Sequence, residues 1–201
     1  MVLNPDRSAR PARAFVAAEL PANVRADLAA AARELSRPGA DVRWTAAENL
    51  HLTLRFLGLS SPEVIRTLVE GLAHRLAQET PPAVTLAGLG AFPDAGAPKV
   101  LWAGVAGGAD DLVRLAACTE DAALEAGFPP EERPFMPHVT IGRVRSPQGL
   151  EGLRTALVAA RFGPSGPFPV RHLTLFESLP GPAGAVYRPL ARFPLATGSV
   201  V

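Results

Sequence analysis

HLTLRFLG (51–58) and HVTIGRV (138–144) open on the same pattern: a histidine, an apolar residue, a threonine and an apolar residue. Side chains of a β-strand alternate between faces with a period of two. Each stretch therefore reads as a strand with His and Thr on one face and the apolar pair on the other. In the first, Leu50, Leu52, Leu54 and Phe56 are expected in the core, with His51, Thr53, Arg55 and Leu57 on the opposite face. In the second, Val139 and Ile141 are expected in the core and His138 and Thr140 on the open face. One unit stands in each half of a 201-residue chain, which predicts a duplicated fold with two histidines meeting across a cleft. Two histidines can give one proton and take another near neutral pH.

Outward from these strands, RAFVAAEL (13–20) has the length and apolarity of a strand. Pro21 then opens a helix over 23–37, stopped by Pro38 and Gly39. VRWT (42–45) is a short strand, and NLHLTLRFLG (49–58) a longer one ended by Gly58. Ser61 and Pro62 are an N-cap and first helical residue for a helix over 63–79. Strands follow at 83–92 and 99–105, joined by the turn 93–98. The second half repeats the rhythm: a helix over 108–127 with Gly127 as its stop, a Pro-rich loop over 129–137, the strand 138–144 and a helix over 148–162. Strands at 167–179 and 186–195, joined by the turn 180–185, complete it. Such an order implies an α+β fold, with helices covering one face of each sheet and the polar faces lining a groove.

Composition sets the limits. A chain of this length buries roughly 70% of its unfolded surface and needs no staples. With 48% hydrophobic and 19% charged residues it has the balance of a compact globular protein. The single cysteine, Cys118, rules out an internal disulfide and a cysteine-based zinc cluster, and reads as a small core residue. A net charge of +1 argues against a broad electrostatic coat for long nucleic acid, while leaving room for a local basic pocket. Lys99 is the only lysine, so nearly all the positive charge is arginine, which suits bidentate phosphate recognition. No stretch is apolar enough to span a membrane, and MVLNPDRSARPAR lacks a signal-peptide core, so the cytoplasm is expected. The organisation expected is a disordered arm (1–12), one bilobal domain (13–196) and a tail (197–201), as a monomer.

The two H-x-T-apolar units resemble the signature of the 2H phosphoesterase superfamily, and most closely its bacterial and archaeal RNA 2',3'-cyclic phosphodiesterases, the 2'-5' RNA ligase-like family. The resemblance extends to RWTAAENLHLTLRFLG (43–58), KVLWAGV (99–105), RPFMPHVTIGRV (133–144) and VYRPLARFPL (186–195). It implies two pseudo-symmetric lobes of antiparallel sheet flanked by helices, with the His-Thr pairs facing each other across a central cleft. It also implies hydrolysis of RNA 2',3'-cyclic phosphate ends to the 2'-phosphate with no metal or other cofactor, and, run in reverse, 2'-5' joining of RNA without ATP. In such a reaction one group takes the proton of the attacking water and another protonates the departing 3' oxygen. The resemblance makes His51 the proton donor and His138 the acceptor, with Thr53 and Thr140 hydrogen-bonding the non-bridging phosphate oxygens. Arg143 matches the family's arginine five residues after the second histidine, a phosphate or ribose contact. Alternation puts it on the wrong face, so a bulge or the strand's end must redirect it.

Other residues enter as alternatives. Arg133 is a candidate structural partner for a carboxylate. Phe56, Trp44, Trp102 and Phe135 are aromatics that could stack a base; Phe135, in the loop before His138, is the preferred one. His74 reads as a surface residue. His172 opens a third copy, HLTL (172–175), without a matching lead-in, and is expected at the cleft rim with less effect on function. Alternative substrates are small cyclic nucleotides and ADP-ribose cyclic phosphate; a non-catalytic RNA-end binding module is the alternative of another class. No G-x-x-x-x-G-K-[ST] loop is present for an ATP-driven ligase.

Overall fold

The strand–helix rhythm folds into one antiparallel sheet with helices packed on one side. The computed structural model describes residues 11–36, 39–181 and 184–196. In chain order these are β1 (Ala12–Glu19), α1 (Ala22–Ser36), β2 (Val42–Trp44), a single 3-10 turn (Ala47–Asn49), β3 (His51–Ser60), α2 (Pro62–Leu76), β4 (Ala83–Phe92) and β5 (Val100–Gly107). Next come α3 (Ala109–Glu125), β6 (His138–Val144), α4 (Leu150–Ala159), β7 (Phe168–Pro169), β8 (His172–Gly181) and β9 (Gly184–Pro194). The expected arm and tail lie outside the described residues, apart from Pro11 and from Ala12, where β1 begins.

Strand order is β7-β4-β5-β6-β3-β1-β8-β9, with β2 attached to β6. The two halves meet at β6 and β3, where Leu52 pairs with Val139. β5 and β4 flank β6 on one side as β1 and β8 flank β3 on the other, so the two lobes are pseudo-symmetric and the fold expected from the sequence is present. The expected cleft is the concave face of this continuous curled sheet.

Helix formation follows the local chemistry. The Ser61 hydroxyl accepts from the Val64 amide, Pro62 fills the first turn, and Ile65, Leu68, Val69, Leu72 and Leu76 form the buried stripe of α2. α3 ends at Glu125, and Gly127 follows at φ +92°, a left-handed value that glycine adopts without penalty. The helices bury Leu28, Leu68, Leu72, Leu112 and Leu115 against Leu52, Leu101, Val139 and Ile141 of the sheet. Cys118 is partly buried against that core, and burial followed by the neighbouring Glu79 carboxylate pushes its thiol pKa up. A smaller cluster, Phe15, Ala17 and Phe176 with Tyr187, sits apart from it.

Most element ends shift by a few residues from the sequence reading, and two differences bear on the sheet. β3 does not stop at Gly58 but runs to Ser60. Gly58 at φ +69° follows a bulge in which Ala14 pairs with Gly58 and Phe15 with Phe56, leaving Leu57 extra. The single strand expected over 167–179 is two: β7 pairs with β4 in one lobe, and β8 pairs with β1 in the other. This segment crosses between lobes, which no local pattern signals.

Candidate active site

The register of β3 against β6 builds the site. With Leu52 opposite Val139, His51 stands opposite Thr140 and Thr53 opposite His138. Directly opposed residues share a face with Cβ atoms ~5 Å apart, and diagonal neighbours are ~7–8 Å apart. The four side chains therefore form a square, with the two histidines on one diagonal. The leucine and valine between them are buried on the helix side. All four square residues are partly exposed.

Each imidazole is held the same way. His51 Nδ1 lies 2.7 Å from the carbonyl of Asn49, and His138 Nδ1 lies 2.7 Å from that of Met136. A carbonyl only accepts, so Nδ1 carries the proton in both rings and Nε2 is left for chemistry. Asn49 is itself fixed by donating from Nδ2 to the Ala185 carbonyl at 2.7 Å. His51 stacks on Phe15 at 4.8 Å and meets the edge of Tyr187 at 5.1 Å; His138 meets the edge of Phe92 at 5.1 Å. Burial lowers the pKa of His51, opposed by the Asn49 hydrogen bond and reinforced by the charge of His138. Burial also lowers that of His138, opposed by the Met136 hydrogen bond and reinforced by Arg143. Neither threonine hydroxyl has a hydrogen-bond partner among the described residues. Two hydroxyls and two Nε2 atoms thus converge on one small area without using each other.

A bulge decides what stands beyond the square. Trp102 pairs with Thr140 and Leu101 with Gly142, so Ile141 is extra, and the parity of β6 flips after it. Arg143 therefore lies on the face of His138, where its charge acts on that imidazole. β3 does the same: Ala17 pairs with Thr53 and Val16 with Arg55, leaving Leu54 extra. Phe56 consequently faces the cleft, 58% exposed and 6.1 Å from Phe15. Phe56 and Arg143 each stand five residues after their histidine, so they are equivalents across the repeat.

The same bulge corrects the expected faces of Phe56, Arg55 and Leu57. Phe56 is not core. Arg55 is 9% exposed on the helix side, with Nε 2.6 Å from Glu120 Oε2, an ion pair off line for a hydrogen bond. Its Nη1 donates to Glu131 at 2.8 Å and Nη2 to the Pro129 carbonyl. Leu57 is buried in the core. The carboxylate-bound structural arginine is thus Arg55, and Arg133 is exposed. Phe135 and Trp44 are half-buried and pack against the main core, whereas Trp102 lies beside Thr140, its ring filling the space over Gly90. His74 is exposed.

The third copy has its own occupation. His172 Nε2 is 2.8 Å from Glu19 Oε2, the fully buried Thr174 donates to the same oxygen at 3.1 Å, and Arg192 adds an ion pair at 3.2 Å. Burial raises the pKa of Glu19, but His172, Arg192 and Thr174 together leave it below the ordinary carboxylate range. This copy is therefore bound within the fold, one strand from His51, which Glu19 directly opposes. Among the described residues no three His, Cys, Asp or Glu side chains gather closely enough to hold a metal ion. No helix there is long and apolar enough to cross a membrane.

The chain is similar to known proteins in both sequence and fold. The family model of the 2'-5' RNA ligase superfamily matches residues 20–181. A protein of Aeropyrum pernix named RNA 2',3'-cyclic phosphodiesterase is 33% identical over 156 residues, 78% of this chain and 88% of that protein. One of the same name from Archaeoglobus fulgidus is 31% identical over 183 residues, 90% and 99% of the two chains. The crystal structure of E. coli LigT complexed with 3'-AMP superposes with a TM-score of 0.78 at 28% identity, covering 92% of this chain and 99% of that one.

Proposed function

The chain belongs to the 2'-5' RNA ligase superfamily, and on that footing we propose that it hydrolyses RNA 2',3'-cyclic phosphate ends to 2'-phosphates by paired-histidine acid–base catalysis. The observation that carries this reading is the square of His51, Thr53, His138 and Thr140 on one concave face. Neutral His138 accepts through Nε2 a proton from a water that attacks phosphorus in line with the 3' oxygen. The bond between phosphorus and the 3' oxygen breaks, and protonated His51 gives its Nε2 proton to that oxygen. The product is a 2'-phosphate beside a free 3'-hydroxyl, and the exchanged protons are reset through solvent. Burial lowers the pKa of His51, which eases release of its Nε2 proton to the departing oxygen. Thr53 and Thr140 donate to the non-bridging oxygens, where charge develops as the ring opens. A 5'-hydroxyl in place of the water gives a 2'-5' linkage through the same steps. Phe56, rather than Phe135, supplies the cleft-facing ring for a base.

The test is conversion of an oligonucleotide ending in a 2',3'-cyclic phosphate to the 2'-phosphate, with EDTA present. An undiminished rate is expected, and no turnover on any cyclic phosphate would leave a binding module.

Both histidines titrate below 6.5, so the form with one proton shared by the pair is most populated on the acid side of neutrality. A bell-shaped kcat/KM profile with its maximum below pH 6.5 is expected. The kcat profile lies to the alkaline side of it, because a bound phosphate anion favours imidazolium. A kcat/KM maximum above pH 7.5 would contradict the burial of both rings.

Thr53→Val or Thr140→Val keeps the side-chain shape and removes a hydroxyl that the fold does not use. Each is expected to lower kcat about 10²-fold while Tm stays level or rises. A comparable loss of Tm instead would assign the hydroxyl to the fold.

A further inference from the structure

Beyond the square, β2 brings a second arginine onto the cleft face. Arg43 pairs directly with Arg143 across β2 and β6. Directly opposed residues share a face, so Arg43 lies on the side to which the bulge at Ile141 turns Arg143. Like charges in this relation oppose folding. Neither arginine makes an ion pair among the described residues, whereas Arg55, Arg66, Arg75 and Arg114 do. Both are exposed. The β8–β9 hairpin returns over the concave face, where Tyr187 meets His51 and Ala185 accepts from Asn49. It offers Arg43 a glycine: a Cβ on Gly184 would stand 2.9 Å from Arg43 Nη2, and φ there is +138°, in the range that favours glycine. The guanidinium head thus has a seat at the cleft wall with no carboxylate to satisfy it.

Position says which anion fits. Arg143 follows Thr140 by three residues, one of them bulged out, a span of about 7–10 Å along the strand. An arginine side chain adds several ångströms of reach, so the pair addresses a phosphate one nucleotide away from the square. An RNA end closed as a 2',3'-cyclic phosphate has one neighbouring phosphodiester, on its 5' side.

We propose that Arg43, paired with Arg143, forms a second phosphate subsite that takes the phosphodiester 5' to the cyclised nucleotide and so favours RNA ends over mononucleotides. The proposal rests on the cyclic-phosphate reading of the square. With a net charge of only +1, this pair supplies locally the attraction that the whole surface lacks.

The test compares cytidine 2',3'-cyclic phosphate with a dinucleotide carrying the same end, and with that dinucleotide bearing a neutral methylphosphonate at its internal linkage. The wild type should favour the charged dinucleotide in kcat/KM by about tenfold, the worth of one charge-assisted hydrogen bond. The methylphosphonate and Arg43→Gln should each remove that preference, their effects should not multiply, and Arg43→Lys should keep part of it. The salt dependence for the dinucleotide should also flatten in Arg43→Gln. A preference that survives either change, or an equal loss on both substrates, overturns the subsite. If the wild type hydrolyses none of the three, the catalytic reading fails. Calorimetric binding of the 2'-phosphate-terminated mono- and dinucleotides then decides the subsite by the same comparison.

Discussion

His51→Ala and His138→Ala are each expected to lower kcat/KM on a 2',3'-cyclic phosphate end by about 10³- to 10⁴-fold, the upper range for a positioned acid or base. The two losses should not multiply in the double variant, because either histidine alone faces a half-equipped reaction. The residual activity of each variant reports the role of the survivor. Without His51 the remaining group is the base, so activity should rise with pH and level off once His138 is neutral. Without His138 the remaining group is the acid, so activity should fall as pH climbs through the pKa of His51. Exchanged slopes would exchange the roles. A variant retaining more than a tenth of wild-type activity would remove its histidine from the chemistry. The fold should tolerate both changes: each ring hydrogen-bonds only a local carbonyl, and each is held below its normal pKa by burial. That depression also means the wild type loses stability as pH falls below 6.5. The unfolded histidines bind protons there that the folded ones resist, so either substitution should blunt the loss.

The square was legible in the sequence because it depends only on alternation within two strands. His51, Thr53, His138 and Thr140 need no more than the period of two, and the register between β3 and β6 completes what the duplication implies. Residues beyond the square were not legible in the same way. The bulges at Leu54 and Ile141 are properties of two paired strands, since an extra residue exists only relative to a partner. Alternation alone puts Arg143 on the face opposite His138, so a bulge or the strand's end has to redirect it, and the bulge at Ile141 does so. The equivalent bulge in β3 leaves no such sign, because Phe56 passes for a core residue and Arg55 for a surface one. HLTL at 172–175 marks the other limit: the tetrapeptide is identical to that of β3, and the carboxylate that occupies its histidine, Glu19, lies on a strand distant in sequence. The clamp on each Nδ1 left no pattern either, because a carbonyl two residues back can come from any residue, here Asn49 and Met136.

Arg55 carries the largest expected effect on stability. The bulge at Leu54 turns it into the helix side, where its fork meets acceptors on two other elements: Glu120 of α3, and Glu131 and the Pro129 carbonyl in the loop that leads to His138. Glu120 also accepts from the Glu131 amide at 2.8 Å, so the arginine closes a ring between β3, α3 and that loop. Arg55→Met fits the apolar stem but strands Glu120, 25% exposed, and a backbone carbonyl. Breaking a buried pair from one side costs 3–5 kcal/mol. The partial exposure of both carboxylates brings the expectation to about 3 kcal/mol, or a fall in Tm of roughly 6–12 °C for a domain of this size. Arg55→Lys should recover less than half, since one ammonium cannot meet acceptors that a planar fork reaches from three nitrogens. Adding Glu120→Gln to Arg55→Met should restore part of the loss, because the uncompensated charge is then gone while the amide oxygen still accepts from Glu131. Thermal unfolding of the four proteins decides it. If Arg55→Met unfolds within 2 °C of the wild type, the network adds nothing to the fold. If the double variant is less stable than the single one, the cost lies in lost packing of the arginine stem rather than in the stranded carboxylate.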